Sequence, residues 1–168
     1  MQQQEYITFT IDQEEYAIEL VKVKEVTEYK KITRLPNAGL FIKGVINLRG
    51  LIVPVVDLRA NFGLQSRPHT KFTVVIVLET LNKVFGIIVD TVPDVVLLSS
   101  KELQPPPSFK SLINKKYIKR IGRTKSRLII ILDTEHILFD QEAPDRTASP
   151  SLELNRNSQD AQKLQSQI

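Results

Sequence analysis

The chain has 168 residues, 42% of them hydrophobic and 25% charged, which is the balance of an ordinary soluble domain. Its longest apolar runs, 51–56 and 128–132, are too short to cross a bilayer, and its first residues lack the basic and apolar regions of a secretory signal, so we expect a cytoplasmic protein without membrane insertion. The lack of cysteine excludes disulfides, thiol nucleophiles and thiolate metal sites.

Alternation of apolar and polar residues, typical of β-strands, begins near the N-terminus. Residues 7–11 alternate, residues 12–15 form a polar turn, and residues 16–18 complete a predicted hairpin. The other runs that predict strands are 21–27, 42–48, 51–56, 72–78, 84–89, 92–98, 117–121 and 128–132. Ten short strands and only short helical stretches predict an all-β barrel or sandwich.

Two stretches of the chain resemble each other, 52–59 and 128–135. Each runs from an apolar strand through an aspartate, Asp57 or Asp133, which we expect to cap a short helix. We therefore predict two similar β units, at about 5–65 and 70–139, packed face to face because each is small. Residues 104–108 contain three prolines and predict an extended connector, and residues 140–168 are polar and predict a mobile tail.

Few residues suit catalysis. His69 and His136 show no ligand or triad spacing, and we expect both on the surface. Asp57, Asp90 and Asp133 each end an apolar strand, and capping explains two of them without a reaction. Glycine-rich phosphate loops are absent from the sequence. We expect no enzymatic activity, no metal and no cofactor.

The segment 41–57 is the most informative. Arg49 and Gly50 join two apolar strands, and a two-residue turn uses glycine for its positive φ. The buried face of strand 42–48 would hold Ile46 and Leu48, and the accessible face Val45, Asn47 and Arg49. Gly44 indicates a bulge or the close approach of another backbone or a ligand. A solvated arginine and a contact site both fit this pattern.

Several motifs in register together resemble the CheW family of bacterial chemotaxis coupling proteins. They are EYAI at 15–18, VKEV at 23–26, FIKGVINLRG at 41–50, IVPVVDLR at 52–59 and GIIVD at 86–90. The resemblance covers a domain at about 5–139 and leaves 140–168 outside. It implies two five-stranded SH3-like β-barrels around a shared core, with strands that can exchange between the two units.

An adaptor without catalytic activity is the function that the resemblance implies. Such a protein couples the cytoplasmic signalling tip of a chemoreceptor to the regulatory C-terminal domain of the histidine kinase CheA, and so places kinase activity under receptor control. It would be recruited to higher-order receptor arrays at the inner face of the membrane. An array that controls pilus motility or another output fits equally well.

The resemblance also implies positions for the partner surfaces. The receptor-facing residues would be Val23, Glu25, Gly44, Asn47, Arg49 and, in a groove between the barrels, Val95. The valines would receive a receptor side chain, and Glu25 would pair with Arg49 to hold it in place. The kinase-facing residues would be Leu40 and Phe41. Aspartate at Gly44 or Arg49 is expected to weaken receptor binding and leave the fold intact.

One region departs from the family pattern. Residues 110–127 hold eight lysines and arginines and no acid, and the turn at 119–127 is basic where the family commonly has small or acidic residues. A solvated hairpin and a surface for an acidic partner are both possible interpretations. With a pI near 9.3 and Tyr117, the segment also raises a hypothesis of another class, a small barrel that binds nucleic acid. An adaptor is expected to bind none.

Overall fold

A computed structural model describes residues 2–36, 38, 41–108 and 115–141, and these form mainly β-strands. The strands are β1 Gln3–Ile11, β2 Glu14–Glu19, β3 Val23–Glu28, β4 Ile42–Leu48, β5 Leu51–Asp57, β6 Val74–Thr80, β7 Lys83–Val89, β8 Val95–Ser99, β9 Leu103–Gln104, β10 Ile118–Arg123 and β11 Leu128–Leu132. The helices are α1 Leu58–Asn61 and α2 Thr134–Gln141, with short 3₁₀ turns at Leu20–Lys22, Ser100–Glu102 and Lys115–Tyr117. The predicted all-β class is confirmed, and β9 is one strand more than the ten that the sequence predicts.

The strands form two sheets. Sheet I has the order β8-β1-β2-β11-β10-β9, and sheet II has the order β3-β6-β7-β5-β4. Each sheet takes strands from both halves of the chain, because β1 and β2 join β8–β11 while β3–β5 join β6 and β7. The sheets therefore do not follow a division of the chain near residue 65.

The sequence repeat occupies equivalent places in the two sheets. The strand β5 of the first copy pairs in parallel with β7, and β11 of the second copy pairs in parallel with β2. Each of these strands then leads into a helix. The predicted caps are confirmed: Asp57 Oδ1 accepts the N–H of Arg59 at 3.0 Å, and Asp133 Oδ1 accepts the N–H of Glu135 at 3.1 Å.

Both sheets are rolled. In sheet I, a Cβ placed on Gly122 of β10 would lie 2.9 Å from the side chain of Leu98 on β8, although these strands are not neighbours in the sheet order. In sheet II, β3 and β4 occupy opposite ends of the order, and the segment after β3 bridges back to β4 through Thr33 and Val45. These contacts close each sheet into a small barrel, in agreement with the two-barrel expectation.

The core has three parts. A shared cluster lies between the sheets and includes Phe9, Ile11 and Ile18 from sheet I with Ile76, Leu78 and Ile87 from sheet II. A second cluster fills the barrel of sheet II, and a third fills that of sheet I. Because the shared cluster draws on both sheets, each barrel completes its burial against the other.

A buried ionic contact also joins the sheets. The Arg59 side chain, 8% exposed, donates through Nη2 to Asp90 Oδ2 at 2.6 Å and to Asp12 Oδ1 at 3.1 Å. Asp12 lies in the turn between β1 and β2, and Arg59 lies in α1, which follows β5. Two carboxylates thus compensate for the burial of one guanidinium at the junction.

Candidate partner-binding site

The turn between β4 and β5 presents Arg49 to solvent. The predicted two-residue turn is present, with Gly50 at a positive φ of 87°; Arg49 also has a positive φ, 51°, and the pair has the φ values of a type I′ turn. Asn47 Oδ1 accepts the N–H of Gly50 at 2.9 Å and braces the turn. Ile46 and Leu48 are buried while Asn47 is exposed, so the predicted division of β4 into two faces is confirmed.

Glu25 of β3 meets Arg49 across the closure of sheet II. Arg49 Nη2 lies 2.5 Å from Glu25 Oε2, and the two side chains are 75% and 26% exposed. The expected pair is therefore present, even though its strands stand at opposite ends of the sheet order. Since an exposed ion pair contributes only about 0.2–1 kcal/mol, its main effect is to orient the arginine.

An open cavity of about 300 Å³ lies beside this pair. Its walls include Leu48, Leu51, Val77 and Val84, with Lys24, Glu25 and Arg49 at its edge. Leu51 is half exposed and directly opposite Leu48 in the β4–β5 pairing. Leu51 was not among the predicted contact residues, although its place directly after the turn is a signal for one.

The space beside Gly44 is filled by residues of the same chain. A Cβ at this position would lie 2.3 Å from the carbonyl oxygen of Thr33 and 2.5 Å from the side chain of Ile32. The close approach that the sequence indicated is therefore that of the chain's own backbone. The expectation that aspartate at Gly44 leaves the fold intact is wrong, because even one added carbon collides with main chain.

Val23 and Val95 border the shared core from different sheets. Val23 of β3 packs partly buried against that cluster. Val95 of β8, 49% exposed, stands opposite Ile7 of β1, and Ile7 belongs to the same cluster. Opposite residues of paired strands share a face, so Val95 extends the apolar face of sheet I that is turned toward sheet II.

Leu97 is a further residue of this face. It is 51% exposed and two positions after Val95 on β8, so both side chains leave the strand on the same side. Val95 was the one predicted contact residue of β8, because the family resemblance implies only that position. The two-residue alternation of β8 was the signal that could have added Leu97.

Of the two predicted kinase-facing residues, the structure describes Phe41. Phe41 is partly buried and packs against the shared core. Leu40 lies outside the described residues.

Acidic residues of β2 and α2, together with Asp94 just before β8, form ion pairs with part of the basic segment. Lys119 Nζ lies 2.6 Å from Glu19 Oε1, Lys116 pairs with Asp140, and Arg127 pairs with Glu15 and Asp94. The exposed residues Arg120, Arg123 and Lys125 have no such contacts in the part of the chain that the structure describes. Residues 110–114 of the basic segment lie outside the described residues. The predicted tail began at residue 140, but Asp140 lies within α2, and residues 142–168 lie outside the described residues.

The two histidines have different surroundings. His136 is exposed, and its Nδ1 lies 2.9 Å from Asp133. His69 is half-buried, which differs from the expected surface position, because its ring stacks on Tyr29 and its Nε2 contacts Lys43. Within the described ranges, no three acidic or histidine side chains gather as a metal site would require, and no helix has the length and apolar character to span a membrane.

Comparison with known proteins identifies the family. Residues 5–142 match the family described as CheW-like domain. A chemotaxis protein CheW of Klebsiella aerogenes is 42% identical over 139 residues, which is 83% of this chain and 84% of that protein. A chemotaxis protein CheW of Bacillus subtilis is 34% identical over 82% of this chain and 87% of that protein. The crystal structure of a scaffolding protein, TtCheW from Thermoanaerobacter tengcongensis, matches with a TM-score of 0.72 and 33% identity over 79% of this chain and 86% of that one. The chain therefore belongs to the CheW family.

Proposed function

We propose that this chain is a non-enzymatic chemotaxis adaptor that couples the cytoplasmic tips of chemoreceptors to the kinase CheA. The observation that carries the proposal is the Arg49 turn, braced by Asn47 and held by Glu25 at the seam of a closed barrel. A charged side chain that is already held in place beside an apolar cavity suits the binding of another protein, because little conformational entropy is lost on contact.

The receptor contact comprises two parts in this proposal. One is the charged part around Glu25, Asn47 and Arg49, and the other is the apolar border of the shared core with Val23, Val95 and Leu97. Gly44 contributes indirectly, since it allows the segment at Thr33 to lie across β4. The apolar part would bury receptor side chains, and the charged part would fix the orientation of the partner.

The kinase contact is proposed at Leu40 and Phe41. The support for it is the position of Phe41 at the start of the segment that enters β4, on the border of the shared core. By binding both partners the protein would be recruited to receptor arrays at the inner face of the membrane. No substrate is transformed in this account.

Co-sedimentation with a receptor cytoplasmic fragment tests the receptor contact. Arg49→Asp places a carboxylate beside Glu25, and we expect receptor affinity to fall by about tenfold or more, since interface arginines are frequently dominant contributors. Arg123→Asp is the matched control, because Arg123 is also an exposed arginine at the end of a hairpin strand. Equal loss in both variants, or loss in neither, would contradict the assignment of the site.

A separate experiment tests the nucleic-acid hypothesis. Lys116, Lys119 and Arg127 are engaged by acidic neighbours, so the basic segment presents less free charge than the sequence indicates. We expect an oligonucleotide titration to give weak binding even at low salt. Tight binding that falls steeply with salt would support that hypothesis instead.

A further inference from the structure

The loop between α1 and β6 folds back onto sheet II through one histidine. The His69 ring stacks on Tyr29 with a centroid separation of 3.8 Å and an interplanar angle of 26°. His69 Nε2 also lies 2.7 Å from Lys43 Nζ, and that ammonium is 5.8 Å from the centre of the Tyr29 ring. Three side chains from separate parts of the chain thus form one partly buried cluster.

The contact with Lys43 specifies the protonation state of His69. An ammonium group has donors and no acceptor, so Nε2 must accept, and the ring proton must reside on Nδ1. An imidazolium has an N–H at both nitrogens, and it would bring a donor and a second positive charge against Lys43. The cluster is therefore compatible with neutral His69 only.

Charged groups from several elements surround His69. They are Lys43 of β4, Asp57 at the end of β5, Arg59 of α1 and Asp90 after β7, with Tyr29 beneath the ring. Burial lowers the pKa of His69 most, Lys43 and Arg59 lower it further, and the two aspartates oppose them without reversing the direction. The charge environment thus agrees with what the hydrogen bond requires.

This cluster stands over the segment that crosses β4. Tyr29 and Ile32 pack against the core of sheet II, and Thr33 exchanges two backbone hydrogen bonds with Val45, at 2.9 and 2.8 Å. Gly44 provides the space for this crossing. The same strand continues to Asn47 and Arg49, so the crossing and the proposed receptor contact share one strand.

We propose that His69 is a positioning residue, whose neutral ring holds the segment 29–33 against β4 and whose protonation releases it, weakening the proposed receptor contact. The effect on binding rests on the proposed function, whereas the effect on the segment does not. Because the pKa of His69 is lowered on folding, the stabilisation is complete above the ordinary histidine pKa of about 6.5 and is lost as the pH falls through the lower folded value.

An NMR titration of the full chain tests the cluster directly. The two histidines are distinguished with His136→Gln, since the sequence contains two. We expect His69 to titrate below about 6.5 and its pKa to rise in Lys43→Met, which removes the neighbouring charge. The amide signals of Thr33 and Val45 should move with the same midpoint in the parent protein and stay still in His69→Gln. Titration of His69 at or above the ordinary value, or amide shifts unchanged by His69→Gln, would overturn the proposal.

Binding to a receptor cytoplasmic fragment at several pH values tests the consequence. His69→Gln retains an acceptor for Lys43 and does not titrate, so its affinity should be nearly constant where that of the parent falls by about threefold or more as the pH drops through the midpoint measured for His69. His136→Gln is the matched control and should follow the parent. An identical pH profile in the parent and His69→Gln would overturn the link to binding. Absence of binding at every pH would instead contradict the proposed function, while the amide signals would still decide whether His69 holds the segment 29–33 against β4.

Discussion

At the scale of single residues, Arg49 and Gly44 belong to one motif, but the structure gives a different reason for each residue type. Arg49 is exposed and held by one ion pair, so it contributes little to folding and is available to a partner. Gly44 is buried beneath the backbone of Thr33, so the packing leaves no room for a side chain at this position. Two positions of one motif thus differ in their reasons: Arg49 is proposed to contact a partner, whereas Gly44 is required by packing.

Replacement of Gly44 by alanine should destabilise the protein. The added carbon meets the Thr33 carbonyl oxygen, and the segment 32–33 must shift or lose its bonds to Val45. We expect the free energy of unfolding to fall by about 1–3 kcal/mol, the usual cost of overpacking a buried site. Urea denaturation measures it, and an unchanged midpoint would contradict the proposed packing at this position.

Arg49→Asp should leave the stability nearly unchanged. The loss of one exposed pair and the approach of a carboxylate to Glu25 are expected to change the unfolding free energy by no more than about 1 kcal/mol. The same denaturation experiment compares this variant with Gly44→Ala. A large loss of stability would show that Arg49 supports the barrel rather than a partner surface.

At the scale of elements, local patterns predicted the strands and the two hairpins β1–β2 and β4–β5, and left the pairing of the other strands open. The alternation in β1 and β4, the apolar run of β11 and the capping aspartates Asp57 and Asp133 are signals contained within a few residues, and the structure agrees with them. The exchange of β1 and β2 into the sheet of β8–β11 depends on contacts far apart in sequence, which alternation does not encode.

The candidate site shows the same limit. The turn conformation at Arg49 and its pairing with Glu25 followed from turn chemistry and the family pattern, respectively. The contact of His69 with Tyr29 and Lys43 was missed, because three segments separated along the chain create it. The strand β9 was missed for a simpler reason: it has two residues and precedes a proline run.

The junction between α1 and the β1–β2 turn offers a test of how the sheets are joined. Arg59→Met removes the guanidinium and leaves Asp12 and Asp90 without their shared partner. We expect a loss of about 1.5–3 kcal/mol, the usual contribution of hydrogen bonds to a charged group, because both carboxylates are about a quarter exposed and Asp12 keeps its contact with Arg67. Thermal denaturation measures it against Lys116→Met, which removes a more exposed pair with Asp140. Equal small effects in both variants would show that the junction contributes little.

At the scale of the whole molecule, the shared core makes the two barrels interdependent. Residues of both sheets fill one cluster, and each sheet includes strands from both halves of the chain. We therefore expect a single cooperative unfolding transition, with far-UV and tyrosine signals that coincide. Two separated transitions would mean that the barrels are stable independently.

The proposed receptor contact includes residues of both barrels. Arg49 and Glu25 lie in sheet II, and Val95 and Leu97 lie in sheet I. A partner that touches both parts would span the junction between the barrels, so the fixed packing of the sheets at the shared core sets the geometry of the contact. Rigid placement of this kind reduces the ordering cost of binding.

The most direct test of the adaptor account is a reconstitution with a receptor cytoplasmic fragment and a CheA kinase, with kinase activity measured as a function of the concentration of this protein. The account predicts that kinase activity depends on receptor when the protein is present, loses that dependence when it is omitted, and is not restored by Arg49→Asp. Receptor control that persists without the protein, or full restoration by Arg49→Asp, would contradict it.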